Sequence, residues 1–133
     1  MTDHFKIFPI GTIRKRDDKA TIEIKKKYEA ALLGMDKFSH IIVLSWFHKN
    51  DTPEKRNILR VHPRGDRTKP LRGVFATRSP IRPNLIAIYT CRILSVEENI
   101  IHIDKIDAFN ETPVIDIKPC MSRNDFDSDL EVS

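Results

Sequence analysis

Short runs of β-branched and aliphatic residues, broken by turn formers, dominate the pattern of this chain. Residues 21–25 alternate so that Ile22 and Ile24 share one face. Residues 5–13 read as a strand interrupted at Pro9 and Gly11, as sheet edges often are. Residues 40–47 form a nearly continuous apolar run that suits a strand buried on both faces. Further strands are predicted over 71–77, 85–94, 100–104 and 114–118. One stretch has a different period: Tyr28, Ala31, Leu32 and Met35 fall at i, i+3, i+4 and i+7, one face of a short helix that Gly34 can help to end. Many short strands with one or two short helices predict a mainly β fold of antiparallel strands, a barrel or sandwich, rather than alternating βα units.

A length of 133 residues suits one domain, predicted over 1–122. Residues 123–133 carry four acids and one arginine and read as an acidic, frayed tail. A chain with 40% hydrophobic and 32% charged residues is ordinary for a globular protein, which excludes bulk disorder and fibrous classes. The four glycines assemble neither GxGxxG nor GxxxxGK[ST], so a Rossmann or P-loop nucleotide site is excluded. Cys91 and Cys120 belong to no metal-ligand or CxxC pattern and read as structural thiols of a reducing compartment. The longest apolar run falls far short of the roughly 20 residues of a membrane helix, and the N-terminus lacks a signal pattern. The expectation is a cytoplasmic protein with no membrane association and no metal.

Charge changes this picture. The formal net charge is only +4, but residues 48–82 hold ten Lys and Arg against three acids, +7 in one window and −3 in the remainder. Seven of the ten are Arg, whose planar fork matches phosphate and carboxylate. Such a run can be merely a solvated face. It can also be an anion-binding surface, with Trp46, Phe47, His48 and Phe75 nearby to stack on bases, although Trp46 and Phe47 read first as core.

Two peptides carry candidate chemistry. Residues 73–84 end an apolar strand in a loop stiffened by Pro80 and Pro83 that displays Arg78, Ser79, Arg82 and Asn84. Fixing φ lowers the entropy of holding these side chains in place. In residues 112–119, period-two alternation sets Val114, Asp116 and Lys118 on one face and lets the carboxylate and ammonium pair, as a structural strut or as part of a site.

These strings, Phe38 to Asn50 (FSHIIVLSWFHKN), Arg72 to Asn84 (RGVFATRSPIRPN) and Thr112 to Pro119 (TPVIDIKP), resemble the TsaA-like (YaeB, TrmO-type) family of S-adenosylmethionine-dependent tRNA N6-adenosine methyltransferases. The resemblance implies a small β-barrel, a homodimer, S-adenosylmethionine as cofactor, and methylation of threonylcarbamoyl-adenosine beside the anticodon of tRNA. Carried over by motif, it implies cofactor contacts at His48, Lys49, Arg78, Ile88, Asn110, Glu111, Thr112 and Pro113. Arg72, Arg78, Arg82, Asn84 and Lys118 are the expected RNA contacts, and Asp116 and His48 the candidates for a base.

The chain also departs from the family pattern. Asn110-Glu111-Thr112-Pro113 stands where Asp-Gly-Thr-Pro is usual, Leu85-Ile86-Ala87 follows Arg82-Pro83-Asn84 where Pro-Ile-Gly is usual, and Cys120 replaces a tyrosine. A Pro-Arg-Gln element near the N-terminus and a C-terminal extension, both common in the family, have no counterpart. The alternative expectation is therefore a barrel that binds S-adenosylmethionine or RNA without turnover.

Overall fold

The computed structural model describes residues 3–121. Strands β1 (Gly11–Arg16) and β2 (Lys19–Ile24) form a hairpin paired from Gly11↔Ile24 to Arg16↔Lys19, a register that sends Ile13, Ile22 and Ile24 to one face. Asp17 takes the positive φ of 54° that the two-residue loop needs, a conformation aspartate tolerates better than most residues. Gly11 is required by close approach: a Cβ there would stand 2.5 Å from the Glu23 carbonyl oxygen.

The hairpin belongs to a closed six-stranded barrel with β3 (His40–Trp46), β6 (Ile86–Glu97), β7 (Ile100–Ile103) and β8 (Pro113–Pro119), in the order β1-β2-β7-β6-β3-β8. The β1–β2, β2–β7, β6–β7, β3–β8 and β1–β8 pairs are antiparallel. Closure removes the two edge strands that an open sheet of these six would have. Ile13, Ile22, Ile41, Val43, Ile101 and Val114 have no exposed surface and fill the interior, each contributing roughly 1.5–3 kcal/mol by burial.

The mainly β barrel matches the sequence expectation, with local corrections. Residues 5–9 are exposed and form no strand; β1 begins only at Gly11, after Pro9, which has no N–H to give a ladder. The helical spacing yields a seven-residue 3-10 helix, Lys26–Leu32, in which only Leu32 is buried and Ala31 faces solvent. Gly34 follows with φ 87°, and a second 3-10 turn, Met35–Lys37, comes after it. β3 alternates buried and half-buried positions rather than burying both faces.

The predicted strand over 71–77 shrinks to β5 (Arg72–Gly73) before a 3-10 turn, Val74–Ala76. β5 pairs with β4 (Arg60–Val61), and the only α-helix among the described residues is the four-residue α1 (Pro53–Arg56), capped by the Thr52 hydroxyl. Period two also fails in β8. Val114 opposes Ser45 and Asp116 opposes Leu44, so Ile115 is bulged and the core takes Val114 and then Ile117, not Asp116.

The chain resolves into two compact units, one formed by the chain up to Ser45 and from Ile88 onward, the other by Trp46–Ala87. The expected tail over 123–133 lies outside the described residues. Among those that are described, no helix is long and apolar enough to cross a membrane.

Candidate functional site

In the Trp46–Ala87 unit the proline-rich loop is fixed by its own polar side chains. Thr77 is buried; its hydroxyl donates to the Val74 carbonyl at 2.9 Å and accepts the Ser79 N–H at 3.1 Å. The Ser79 hydroxyl accepts the Ile81 N–H at 3.0 Å. Arg82 Nη1 then donates to the carbonyls of Thr77 (3.2 Å) and Ser79 (3.1 Å), closing the loop on itself. Arg82, expected to meet RNA, is an internal clamp here. Arg78 lies between the clamped residues, exposed, with no hydrogen bond or ion pair to another described residue. It lines a cleft of about 660 Å³ together with Arg64 and Arg67 of the neighbouring loop.

A second brace in this unit escaped the sequence reading. Asp51 accepts from Trp46 Nε1 at 3.1 Å and from Arg56 Nη1 at 3.2 Å, while Arg56 Nε donates to the Pro83 carbonyl at 2.8 Å and its guanidinium lies 5.4 Å from the Trp46 ring centroid. Trp46 is thus anchored at its polar edge. No motif flags this set, because its members meet through an irregular turn. His48 is half-buried and Lys49 exposed in the 3-10 turn His48–Asn50, Arg72 is exposed on β5, and Asn84 is exposed after Pro83.

The barrel unit holds the remaining candidates. The Lys15 backbone donates to Asn110 Oδ1 at 2.8 Å, and Lys15 Nζ donates to the carbonyls of Ile106 and Ala108 at 2.9 Å each. Lys15 therefore positions the whole 106–110 segment, a role with no sequence signature. Thr112 is buried, its hydroxyl donating to the Phe109 carbonyl at 2.7 Å, and Pro113 begins β8. Glu111 is not extended: it sits at φ 69°, its N–H donates to the Ile13 carbonyl, and its carboxylate pairs with Arg14 at 3.2 Å. The carboxylate that could stand in for the missing aspartate is thereby turned onto β1.

Asp116 Oδ1 accepts the Ile117 N–H at 2.8 Å and Oδ2 lies 3.6 Å from Lys118 Nζ, with both side chains at least half exposed. An ion pair in that setting adds little stability, so Asp116 stands accessible rather than serving as a buried strut. Ile88 is exposed on β6. The structure therefore groups His48, Lys49, Arg72, Arg78, Arg82 and Asn84 in one unit and Ile88, Asn110, Glu111, Thr112, Pro113, Asp116 and Lys118 in the other.

Burial, with Asp104 and Cys120 adding to it, pushes the Cys91 thiol up to about 12, so it stays protonated and is a poor nucleophile. Among the described residues no three His, Cys, Asp or Glu side chains cluster as metal ligands would.

Comparison with known proteins bears on this arrangement. Residues 2–126 match the model of the tRNA-methyltransferase O N-terminal domain. A probable S-adenosyl-L-methionine-binding protein of Methanocaldococcus jannaschii is 54% identical over 110 residues, covering 83% of this chain and 87% of the relative. A tRNA (adenine(37)-N6)-methyltransferase of Rattus norvegicus is 35% identical over 131 residues, which are 92% of this chain but 30% of that protein. The crystal structure of TrmO from Pseudomonas aeruginosa superposes with a TM-score of 0.72 at 27% identity, covering 97% of this chain and 61% of that one. The chain thus spans less than two thirds of the solved TrmO structure and less than a third of the rat enzyme.

Proposed function

The chain belongs to the family of the tRNA-methyltransferase O N-terminal domain, and from that premise we propose that it is an S-adenosylmethionine-dependent methyltransferase acting on N6 of an adenosine in tRNA. The observation that carries this reading is the loop of residues 77–82: four side-chain-to-backbone bonds, with Pro80 inside it and Pro83 just after it, hold it still while Arg78 is presented from it. A cationic fork on a pre-ordered loop suits the carboxylate of the methionine moiety, because little ordering entropy is lost when the two meet. The polar and backbone groups of Asn110 and Thr112, held by Lys15 and Phe109, suit a ribose or an adenine edge.

S-adenosylmethionine, when bound, supplies a methyl already activated on a sulfonium. The chain's part is placement: bringing N6 in line with the methyl carbon gains rate through proximity and orientation. As the N–C bond forms and the S–C bond breaks, N6 must lose a proton. Asp116 Oδ2, accessible and 3.6 Å from Lys118 Nζ, is the acceptor we assign, with His48 the alternative.

The substrate we assign is threonylcarbamoyl-adenosine beside the anticodon. We also assign a homodimer, supported by Ile86, Ile88 and Leu94, three large aliphatic side chains that β6 leaves exposed. Incubation with radiolabelled S-adenosylmethionine and bulk tRNA, followed by nucleoside chromatography, tests the reaction. Label in N6-methylated threonylcarbamoyl-adenosine is expected. Label in plain N6-methyladenosine alone would remove the threonylcarbamoyl assignment, and no label in any tRNA fraction would remove the methyltransferase reading.

A further inference from the structure

The strongest charge feature that the motifs leave unused is the loop between β4 and β5. Residues 60–69 carry Arg60, Arg64, Arg67 and Lys69 against Asp66 alone, in a sequence that belongs to none of the family strings. The loop is nevertheless built rather than slack. The β4–β5 ribbon closes its base, His62 Nδ1 lies 2.9 Å from the Lys69 carbonyl, and backbone bonds run from Gly65 to His62, from Asp66 to Pro63 and from Lys69 to Asp66. The one acid is engaged internally: Asp66 accepts the Thr68 N–H and hydroxyl, which holds its carboxyl below the ordinary range. Its charge is spent on the turn, whereas Arg67 beside it is exposed.

Arg64, Arg67 and Arg78 line the same cleft of about 660 Å³, whose other walls include the aliphatic side chains of Ile58, Val61 and Ile81. Arg67 and Arg78 are exposed and have no hydrogen bond or ion pair to another described residue. Forked cations around an apolar floor match a nucleic-acid strand better than an acidic peptide, since phosphodiesters take the guanidinium fork while ribose and base faces take the aliphatic surface.

We propose that this cleft is a phosphodiester cradle for the tRNA strand, with Arg64 and Arg67 as two phosphate contacts outside the cofactor-binding motif. The proposal rests on the tRNA reading above and adds to it the part of the cleft outside the Arg78 loop, formed by Arg64 and Arg67, which positions substrate and does no chemistry. Its arginines neutralise phosphates and release counterions, so they act on affinity and on its salt dependence.

The test compares Arg64→Gln/Arg67→Gln with Lys19→Gln/Lys26→Gln, a pair on the barrel unit with the same change in net charge. Binding of a fluorescein-labelled tRNA transcript is followed by anisotropy from 50 to 300 mM NaCl, with S-adenosylmethionine binding measured by calorimetry. The cleft pair is expected to weaken tRNA binding about tenfold at 100 mM NaCl and to flatten the slope of log K against log salt by about 1.5, two contacts at roughly 0.7–0.9 each. Cofactor affinity should be unchanged, and the control pair should leave the slope within 0.5 of the original. Equal slopes for the cleft pair and the unaltered chain would overturn the cradle alone, as would an equal effect of the control pair. If the unaltered chain binds no tRNA at any salt, the cradle and the tRNA reading fall together.

Discussion

The barrel interior and the Trp46–Ala87 unit hold their shapes by different means. In the barrel, Ile13, Ile22, Ile41, Val43, Ile101 and Val114 are wholly inaccessible to water and come from five different strands. In Trp46–Ala87, the buried aliphatic side chains among the described residues are Pro63, Val74, Leu85 and Ala87. What fixes that unit is a set of polar bonds from Asp51, Arg56, Thr77, Ser79 and Arg82 to backbone and to one another. Apolar burial is strong and non-directional, so it serves a scaffold. Hydrogen bonds to charged groups contribute less apiece but fix direction, which suits loops that must present Arg78 at a defined angle.

The largest effect that can break this contrast lies in the barrel. Ile101→Ala removes a side chain with no exposed surface at the centre of β7 and is expected to lower the unfolding free energy by about 3 kcal/mol, read from urea denaturation. A loss below about 1 kcal/mol would mean that the interior collapses around the cavity, and the scaffold account would be wrong.

The opposite signature belongs to Arg82→Ala. It removes two bonds to carbonyls of the 77–82 loop, so stability should change by no more than about 1.5 kcal/mol while methyl transfer to tRNA drops at least tenfold. Arg82→Lys should recover stability better than activity, because a single ammonium does not reproduce the planar fork that spans both carbonyls. A stability loss as large as that of Ile101→Ala, with activity kept per folded molecule, would make the loop part of the core and erase the distinction.

The same division explains what was legible in the sequence. The strands that build the barrel were visible as short runs of β-branched and aliphatic residues, alternating in 21–25 and nearly continuous in 40–47, and residues 40–47 and 85–94 fall within a residue or a few of β3 and β6. Asp116 broke the pattern because the bulge at Ile115 shifts the phase, and a bulge leaves no composition signal. The candidate site was legible only as motif strings. Arg78 and Arg82 stand four residues apart in one loop, and nothing in their order distinguishes the presented arginine from the clamping one. That depends on where the carbonyls of Thr77 and Ser79 point. Lys15 and Asp51 were missed for the same reason, since their roles arise from contacts with chain segments that sequence spacing does not bring together.

The smallest expected effect sharpens the contrast at a site residue carried by the turn that leads into β8. Glu111 stands where the Asp-Gly-Thr-Pro pattern of the resemblance leads one to expect glycine, and it adopts φ 69°, which for a residue with a Cβ costs on the order of 1 kcal/mol. Its ion pair with Arg14 offsets part of that cost, but with side chains 47% and 68% exposed the pair contributes only a few tenths of a kcal/mol. Glu111→Gly should therefore raise the unfolding free energy, by about 0.5 kcal/mol. Glu111→Ala keeps the strained backbone, loses the pair, and should lower stability slightly. The two substitutions remove the same carboxylate, so opposite signs in urea denaturation isolate the backbone term. If both destabilise equally, the Arg14 contact outweighs the strain, and the glutamate is there for its charge. The affinity for S-adenosylmethionine then separates the remaining roles: unchanged in both variants, it makes Glu111 a brace on β1, whereas equal weakening in both makes the carboxylate part of the cofactor site.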